Sequence, residues 1–405
     1  MPVIARYAIA TLAPLALLLL GGLVWGGFAV LALIWLTLVA AIGDQILQPP
    51  APDPEGDTRW ATRLSVALAI GHFALLAVTL AALSAAGLTF GQGLALFFGT
   101  ASFFGQVSHP NAHDLIHRAP RPLRMLGAAV YISVGFGHHV SAHRLVHHAH
   151  VGTDADPNTP LPGESFYAYL PRAWRGSFEA GLEVEIDRLD QQGRPEKSPH
   201  NPYWIWIGGA LLALIAASVL GGIGGVLLFV GLAALTGAQI LMSDYLQHYG
   251  LQRLLLPNGR YEPVGPHHSW NAPRGFSSYL MLNAPSHSEH HMHPGRSFDA
   301  LAPDAPGPVL PYPMPIMAVL AMIPSVWHGI MDKRAVRVTE AAEADRLRPK
   351  APTPSDQRQT TSPQPCAKPA AEPSPPIPRA DAEPSPEAAA EDSDALMARV
   401  QKAIS

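Results

Sequence analysis

The sequence predicts an all-α membrane protein with six transmembrane helices and a histidine-rich cytoplasmic cap that holds a dinuclear metal site. Three observations support this prediction. Of the 405 residues, 48% are hydrophobic and only 14% are charged, whereas soluble domains have about 25% charged residues. Apolar stretches of membrane length recur along the first 242 residues. Nine histidines form short boxes just outside those stretches.

The apolar stretches number six, and each approaches the length of about 20 residues that crosses a hydrocarbon core. They pair as three hairpins, because the connections near residues 21–27, 84–91 and 221–225 are short and carry no Lys or Arg. The stretches run from Ala8 to Leu20, Leu23 to Ile42, Leu64 to Leu83, Leu88 to Val107, Trp204 to Leu220 and Ile223 to Met242.

Basic residues predict the orientation. Arginines such as Arg63, Arg118, Arg144 and Arg253 lie in the longer connections between hairpins, and the positive-inside rule makes that side cytoplasmic. Both termini and all four histidine boxes are therefore expected on the cytoplasmic side of the bacterial inner membrane. The first stretch is expected to be retained rather than cleaved as a signal, since a second span follows at once.

Two shorter apolar runs, 125–137 and 311–327, are expected to be interfacial or buried helices. Toward the C-terminus the composition changes to Pro, Ala, Glu and Ser, which cannot bury a core. The chain is therefore predicted to comprise a membrane domain, 1–335, and a disordered Pro/Ala-rich cytoplasmic tail, 336–405. The single cysteine, Cys366, lies in that tail, which excludes disulfides and cysteine-held metal centres within the chain.

Four histidine boxes indicate a metal site, because neutral imidazole is a common ligand for transition metals. Residues three or four apart on a helix are neighbours, so each multi-histidine box can offer two nitrogens to one place. The alternative is nine independently placed surface histidines, which explains four such boxes poorly. The boxes are HDLIH (His113, His117), HRLVHH (His143, His147, His148), DYLQHYG (His248) and HSEHH (His287, His290, His291).

Helix lengths predict how the boxes meet. From Leu88 to His117 a helix is about 45 Å long, against a hydrocarbon core of about 30 Å, so its end extends into the cytoplasm. By the same reasoning His248 lies at the membrane surface. Asp244, one turn before it, is predicted to accept a hydrogen bond from the free ring nitrogen of His248.

Nine neutral imidazoles bring no negative charge to a pair of divalent ions, so nearby carboxylates are expected to offset the positive charge of the ions. For each of these carboxylates, the alternative is that it is a solvated charge in a loop. His138 is a further candidate for the surroundings of the site, while His72, inside a span, is as readily explained by a helix-packing hydrogen bond. The candidate carboxylates are Asp114, Asp244, Glu262 and Glu289, with Asp154 and Asp156 as weaker ones.

From about residue 5 to 335 the chain resembles the AlkB-type integral-membrane alkane monooxygenases, a branch of the fatty-acid desaturase and hydroxylase superfamily. The resemblance rests on GESFYAYLPR, SPHNPYW, DYLQHYGL, GRYEPVGPHHSWN and HSEHHMHP. The chain departs from the usual boxes at HDLIHR and at Ala142, Arg144, Gln247 and Ser286. The resemblance implies two iron ions held only by His113, His117, His143, His147, His148, His248, His287, His290 and His291.

The same resemblance implies O2-dependent hydroxylation of the terminal carbon of an n-alkane drawn from the lipid bilayer. The chain has no flavin or nicotinamide fingerprint and no CxxC pair, so the electrons are expected to come from another protein, and the resemblance implies rubredoxin with an NADH-dependent rubredoxin reductase. No nucleic acid partner is expected. Trp35 lies about 13 Å up the second span, where an indole facing the bundle would limit the length of the bound alkane; the alternative is that Trp35 faces lipid.

Three other functions remain open at this stage. An aryl-methyl hydroxylase of the xylene monooxygenase kind has similar boxes. A divalent-metal transporter would place its ligands near the bilayer midplane, where the spans of this chain carry only His72. An acyl-lipid desaturase is disfavoured, because the second box has three residues before its histidine pair where typical desaturases have two.

Overall fold

A computed structural model describes residues 3–47, 58–273, 275–301 and 306–347. Within these ranges the chain is helical, apart from turns and two isolated bridges, Leu255–Tyr261 and Asn271–Val309. Short 3₁₀ turns cover Pro266–His268 and Phe298–Ala300. The α-helices are α1 Val3–Leu23, α2 Gly27–Ile34, α3 Ala40–Ile46, α4 Thr58–Ser84, α5 Phe90–Phe103, α6 His109–His117, α7 Arg121–Ser133, α8 His139–Ser141, α9 His148–His150, α10 Phe166–Asp190, α11 Tyr203–His248, α12 Phe276–Leu280, α13 His287–Met292, α14 Met314–Ala321 and α15 Pro324–Leu347.

Three π-helical turns join neighbouring helices into continuous rods. Trp35–Val39 joins α2 to α3, Phe104–Ser108 joins α5 to α6, and Ala142–His147 joins α8 to α9. A π turn is rare and often marks a functional site. Two of these three turns lead into, or contain, a histidine box.

In the part of the chain that the structure describes, four helices are long and apolar enough to cross a membrane: Val3–Leu23, Gly27–Ile46, Arg59–Ser84 and Tyr203–His248. The last is broken at Gly221 and Gly222, so it contains both the fifth and the sixth predicted stretches. Helix α5 has only 14 residues, but it continues through its π turn to His117. Nearly all of each predicted stretch therefore lies in a helix, and the all-α membrane class is confirmed.

Small residues allow the first hairpin to close tightly. Helix α1 packs against α2 and α4, and α4 packs against α11. A β-carbon on Gly21 would lie 2.7 Å from the backbone nitrogen of Ala29, so only glycine permits this approach. At the break in α11, Gly222 has φ +56°, a conformation that favours glycine.

His72, inside α4, makes packing hydrogen bonds. Its Nδ1 is 3.0 Å from Ser108 Oγ and its Nε2 is 2.8 Å from Ser133 Oγ. These contacts join α4 to the π turn before α6 and to the C-terminal end of α7. They support the packing interpretation of His72.

The two shorter apolar runs are helical as well. The first largely coincides with α7. The second covers most of α14 and the start of α15, which meet at a bend of 119°. Helix α15 continues to Leu347 and so includes residues 336–347, which the sequence assigned to the tail; the run AVRVTEAAEADRL is rich in strong helix formers. The remainder of that predicted tail, 348–405, lies outside the described residues.

Candidate metal centre

The nine predicted ligand histidines come together in two adjoining clusters. Helix α6 supplies two of them, the rod from α8 to α9 supplies three, the end of α11 supplies one and α13 supplies three. The first cluster comprises His113, His117, His143, His148 and His290, and the second comprises His147, His248, His287 and His291. In each cluster one ring nitrogen from every histidine lies within 4.8 Å of the others.

In the five-histidine cluster the Nε2 atoms converge. His143 Nε2 lies 2.8 Å from His113 Nε2 and 3.0 Å from His148 Nε2. His290 Nε2 is 3.2 Å from His148 Nε2. His117 Nε2 is buried there without a hydrogen-bond partner among the described residues. One small volume is thus lined by nitrogens from three separate segments of the chain.

The four-histidine cluster has the same character. His287 Nε2 lies 2.9 Å from His248 Nε2 and 3.1 Å from His291 Nε2. The ring of His147 faces those of His248 and His291, with centroids 4.8 and 5.1 Å away. The clusters touch each other, since the ring centroids of His148 and His291 are 4.6 Å apart.

The π turn at Ala142–His147 explains how one box serves both clusters. Hydrogen bonds in a π turn join residues five apart, so His143 and His148 lie on one side of the rod. The ring of His147 stacks on that of His143, with centroids 5.1 Å apart, but it also faces His248 and His291 of the second cluster. The regular helix assumed from the sequence could not have revealed this division.

The geometry of the clusters suits binding of metal ions better than hydrogen bonding between the histidines. Two imidazole nitrogens bound at about 2.1 Å to one ion and at a right angle are about 3.0 Å apart, which matches the separations within each cluster. Burial, and then neighbouring imidazoles, lower the pKa of His113, His143, His148, His287, His290 and His291 well below the usual value. Neutral imidazole is the form that binds metals.

His147 is held by a buried carboxylate. Its Nδ1 lies 2.8 Å from Asp156 Oδ2, which also accepts a hydrogen bond from Thr159. Burial lowers the pKa of His147, but Asp156 more than offsets this and raises it above the usual value. Burial likewise raises the pKa of Asp156, yet His147 and the hydrogen bonds leave it lowered. Asp156, only a weaker candidate in the sequence, therefore makes the closest carboxylate contact with a cluster histidine.

The predicted hydrogen bond from His248 to Asp244 is wrong. His248 Nδ1 instead lies 3.0 Å from the carbonyl oxygen of His268. The carboxylate of Asp244 accepts a hydrogen bond from Asn158 at 2.7 Å and lies within 4.8 Å of ring nitrogens of His143 and His147. The loop after α11 folds back against His248 and supplies a carbonyl that spacing on the helix could not predict.

Glu262 acts on the second cluster through His268. Its Oε1 lies 3.2 Å from His268 Nε2, and His268 Nδ1 accepts a hydrogen bond from the backbone of Gly265 at 2.8 Å. With both nitrogens engaged, the His268 residue is fixed, and its carbonyl is held in place for His248.

The other predicted neighbours of the site make different contacts. Asp114 pairs with Arg118 at 2.9 Å and accepts from the backbone of Phe298. Glu289 pairs with Arg296, and His138 is 3.5 Å from Ser177 Oγ. None of these contacts involves a cluster histidine, because each side chain is engaged by a loop or helix packed on its outer face.

Two further histidines lie beside the first cluster. His139, next to the predicted neighbour His138, stacks on His143 with centroids 5.0 Å apart, and both of its ring nitrogens are buried without a hydrogen-bond partner among the described residues. Sequence reasoning missed His109, which lies 2.9 Å from the hydroxyl of Tyr131 and has its ring 6.0 Å from that of His113. The spacing of one helical turn from a box residue was the available signal for both.

Two cavities adjoin the site. A cavity of about 20 Å³ is lined by His113, His287 and His290, so it touches both clusters. A larger apolar cavity of about 300 Å³ lies between the π turns at Trp35–Val39 and Phe104–Ser108, α11 and α14, and its lining includes Leu36 and Leu246. Leu246 is two residues before His248, which places this cavity at the membrane side of the cap.

Trp35 lies one residue from the lining of the larger cavity. Its indole N–H donates to the carbonyl oxygen of Ala10 at 3.2 Å, and its ring packs edge-on against Phe276 with centroids 5.8 Å apart. The side chain is half-buried between α1 and α12, while Leu36 and Thr37 beside it line the cavity.

An all-helical membrane bundle that holds two buried histidine clusters is the arrangement of a membrane metalloprotein. The fatty acid desaturase family model matches residues 88–307. Alkane 1-monooxygenase 2 of Pseudomonas aeruginosa is 31% identical over 63% of this chain and 67% of its own length. Alkane 1-monooxygenase 1 of Alcanivorax borkumensis is 30% identical over 78% of this chain and 79% of its own length.

A xylene/toluene monooxygenase hydroxylase component of Pseudomonas putida is also similar, at 28% identity over 58% of this chain and 62% of its own length. The chain belongs to the fatty acid desaturase family, in its AlkB-type alkane monooxygenase branch. The resemblance noted in the histidine boxes is thereby confirmed.

Proposed function

We propose that this protein is a non-haem di-iron monooxygenase that hydroxylates the terminal carbon of n-alkanes. The observation that carries the proposal is the pair of adjoining clusters, five and four histidines, on a chain of the alkane monooxygenase branch. An unactivated C–H bond offers no polarity for acid, base or nucleophile to use, so a metal centre has to supply the reactivity.

The nine histidines would hold two iron ions, one in each cluster. When bound, iron supplies the redox chemistry by which O2 is activated for attack on a C–H bond. Burial favours the neutral, metal-binding form of His113, His143, His148, His287, His290 and His291, and Asp156 orients the ring of His147. Asp156 and Asp244 also bring negative charge close to the site, since the neutral imidazoles carry none. The small cavity beside His113 and His287 exceeds the volume that one water molecule needs, which suits a small reactant such as O2.

The apolar cavity supports an alkane as the substrate. Its lining is mainly aliphatic and methionine side chains from the bundle, including Met242, Leu246 and Met281. An alkane dissolved in the bilayer would reach the cap by this route without crossing water. Entry end-on would present its terminal carbon to the site first.

The electrons would come from another protein, since the chain's one cysteine, Cys366, cannot by itself form a rubredoxin iron site. We propose rubredoxin and an NADH-dependent reductase as donors, acting on a cytoplasmic cap of an inner-membrane protein. The arginine-rich long connections support this orientation.

One assay tests the proposal against its rivals. Purified protein with iron, rubredoxin, reductase and NADH is expected to convert octane to 1-octanol and to consume O2 only when alkane is present. Preferred oxidation of the methyl group of toluene would favour the xylene-type reaction instead. Bound metal without alkane-dependent O2 uptake, together with metal flux into vesicles, would favour a transporter.

The Trp35→Ser variant is expected to accept longer alkanes while octane turnover stays nearly unchanged. Loss of the indole removes bulk beside Leu36 and Thr37, about 13 Å above the cytoplasmic end of the span. The measurement is the product profile for alkanes from C8 to C16. Trp25→Ser, at the exposed opposite end of the same hairpin, is the matched control, and equal profiles for both variants would place the length limit elsewhere.

Ending the chain after Leu347 is expected to leave metal content and hydroxylation unchanged. The deleted segment carries no histidine and has the composition of a solvated tail. Metal analysis and octane turnover of the truncated protein check this. A protein that retains iron but no longer accepts electrons from rubredoxin would show that the tail takes part in reduction.

A further inference from the structure

A groove lined by arginines contains none of the nine cluster histidines and has no part in the proposed reaction. Its volume is about 460 Å³, and it lies between the start of α7, the π turn at Ala142–His147, the end of α10 and the start of α11. We call it the basic groove. Its arginines are Arg121, Arg124, Arg144, Arg188 and Arg194.

The positive charge of the basic groove is poorly compensated. Glu185 is the one carboxylate in its lining, and it already accepts hydrogen bonds from Ser141 at 2.8 Å and Arg188 at 3.1 Å. Arg124 donates to backbone carbonyls, including that of Arg118 at 3.1 Å.

The three remaining guanidinium groups have no hydrogen-bond or ion-pair partner among the described residues. Arg121, Arg144 and Arg194 make no hydrogen bond or ion pair with any part of the chain that the structure describes. Three free guanidinium groups around one recess form a site for an anion, and the planar guanidinium matches the geometry of a phosphate.

The position of the basic groove indicates where that anion comes from. Helix α7 begins with the arginines and ends at Ser133, which bonds to His72 within the span of α4. Helix α11 enters the membrane at Tyr203, where Trp204 and Ile205 are exposed on its surface. The basic groove therefore lies at the membrane boundary, with its arginines at the start of α7 on the cytoplasmic side.

Apolar side chains complete one wall of the basic groove. Met125, Leu145 and Trp206 line it together with the arginines, and Met125 is 41% exposed. A soluble phosphate or an acidic protein surface would gain little from such a wall. A lipid, with a charged headgroup above an apolar chain, matches both parts, and basic pockets of this kind between transmembrane helices bind anionic headgroups.

We infer that the basic groove binds an anionic phospholipid, with Arg121, Arg144 and Arg194 around the phosphate and Met125, Leu145 and Trp206 against the upper acyl chain. The inference does not depend on the proposed reaction, since it rests on charge, shape and membrane depth alone. Because Arg144 lies between two cluster histidines in the chain, a bound lipid would also contact the π turn that carries them.

The test uses the full-length protein in phosphatidylcholine nanodiscs with and without phosphatidylglycerol, and native mass spectrometry of the lipid that remains bound. The wild type is expected to retain phosphatidylglycerol in preference to phosphatidylcholine. The double variant Arg121→Ala/Arg194→Ala is expected to lower that preference about thirtyfold. Arg175→Ala removes an exposed arginine outside the basic groove and is expected to leave the preference unchanged.

Iron content and melting temperature in phosphatidylcholine alone establish that the double variant is folded. Equal retention of both lipids by the wild type, or an unchanged preference in the folded double variant, would overturn the inference. Displacement of the lipid by millimolar inorganic phosphate at equal affinity would assign the site to a free anion instead. A raised KM for rubredoxin with unchanged lipid retention would make the basic groove a docking surface for an acidic protein, which also contradicts the inference.

Discussion

The His143→Ala variant is expected to enter the membrane normally but to lose one metal equivalent and essentially all hydroxylation. His143 Nε2 lies within 3.0 Å of nitrogens of both His113 and His148, so it stands at the centre of the five-histidine cluster. Even changes to residues that only support a ligand cost about 10–100-fold in affinity or activity, and loss of a ligand itself should exceed that range.

Iron per protein and turnover of octane are the two measurements. His328→Ala is the matched control, because His328 is bonded to the hydroxyl of Tyr249 at 2.9 Å and belongs to neither cluster. The control should retain iron. Full iron content and activity in His143→Ala would remove that residue from the set of ligands.

The Asp156→Asn variant is expected to bind metal about 10–100-fold more weakly, with a corresponding fall in activity. The carboxylate is 3% exposed and its Oδ2 lies 2.8 Å from His147 Nδ1. An amide of the same shape keeps the packing but removes the negative charge, so it makes the ring a weaker ligand.

Asp154→Asn provides the matched control, since it makes the same chemical change at an exposed position of the same loop. Iron titration of both variants, with melting curves to verify folding, separates a local effect on His147 from general damage. Equal iron affinity in the two variants would mean that Asp156 serves only to close the loop through Thr159 and Asn158.

The two clusters also show why the sequence could predict which histidines come together but not their hydrogen-bond partners. Each box is local: the spacing of His113 and His117, or of His287 and His291, is that of one helical turn. Asp156, by contrast, reaches His147 through the turns of the loop that follows the box. The carbonyl of His268 reaches His248 across 20 residues, and no periodicity records such a contact.

The sequence by itself determined the membrane class, the apolar stretches that became helices, the nine candidate ligands and the family, because hydropathy and helical spacing are properties of short segments. Tertiary structure alone decided which histidines share a cluster, since His147 joins His248, His287 and His291 from other segments although its ring also stacks on that of His143. It also decided that Asp156 rather than Asp244 contacts a ring nitrogen, and that arginines from separate elements surround one groove. Such outcomes depend on how distant segments pack, which local sequence patterns do not encode.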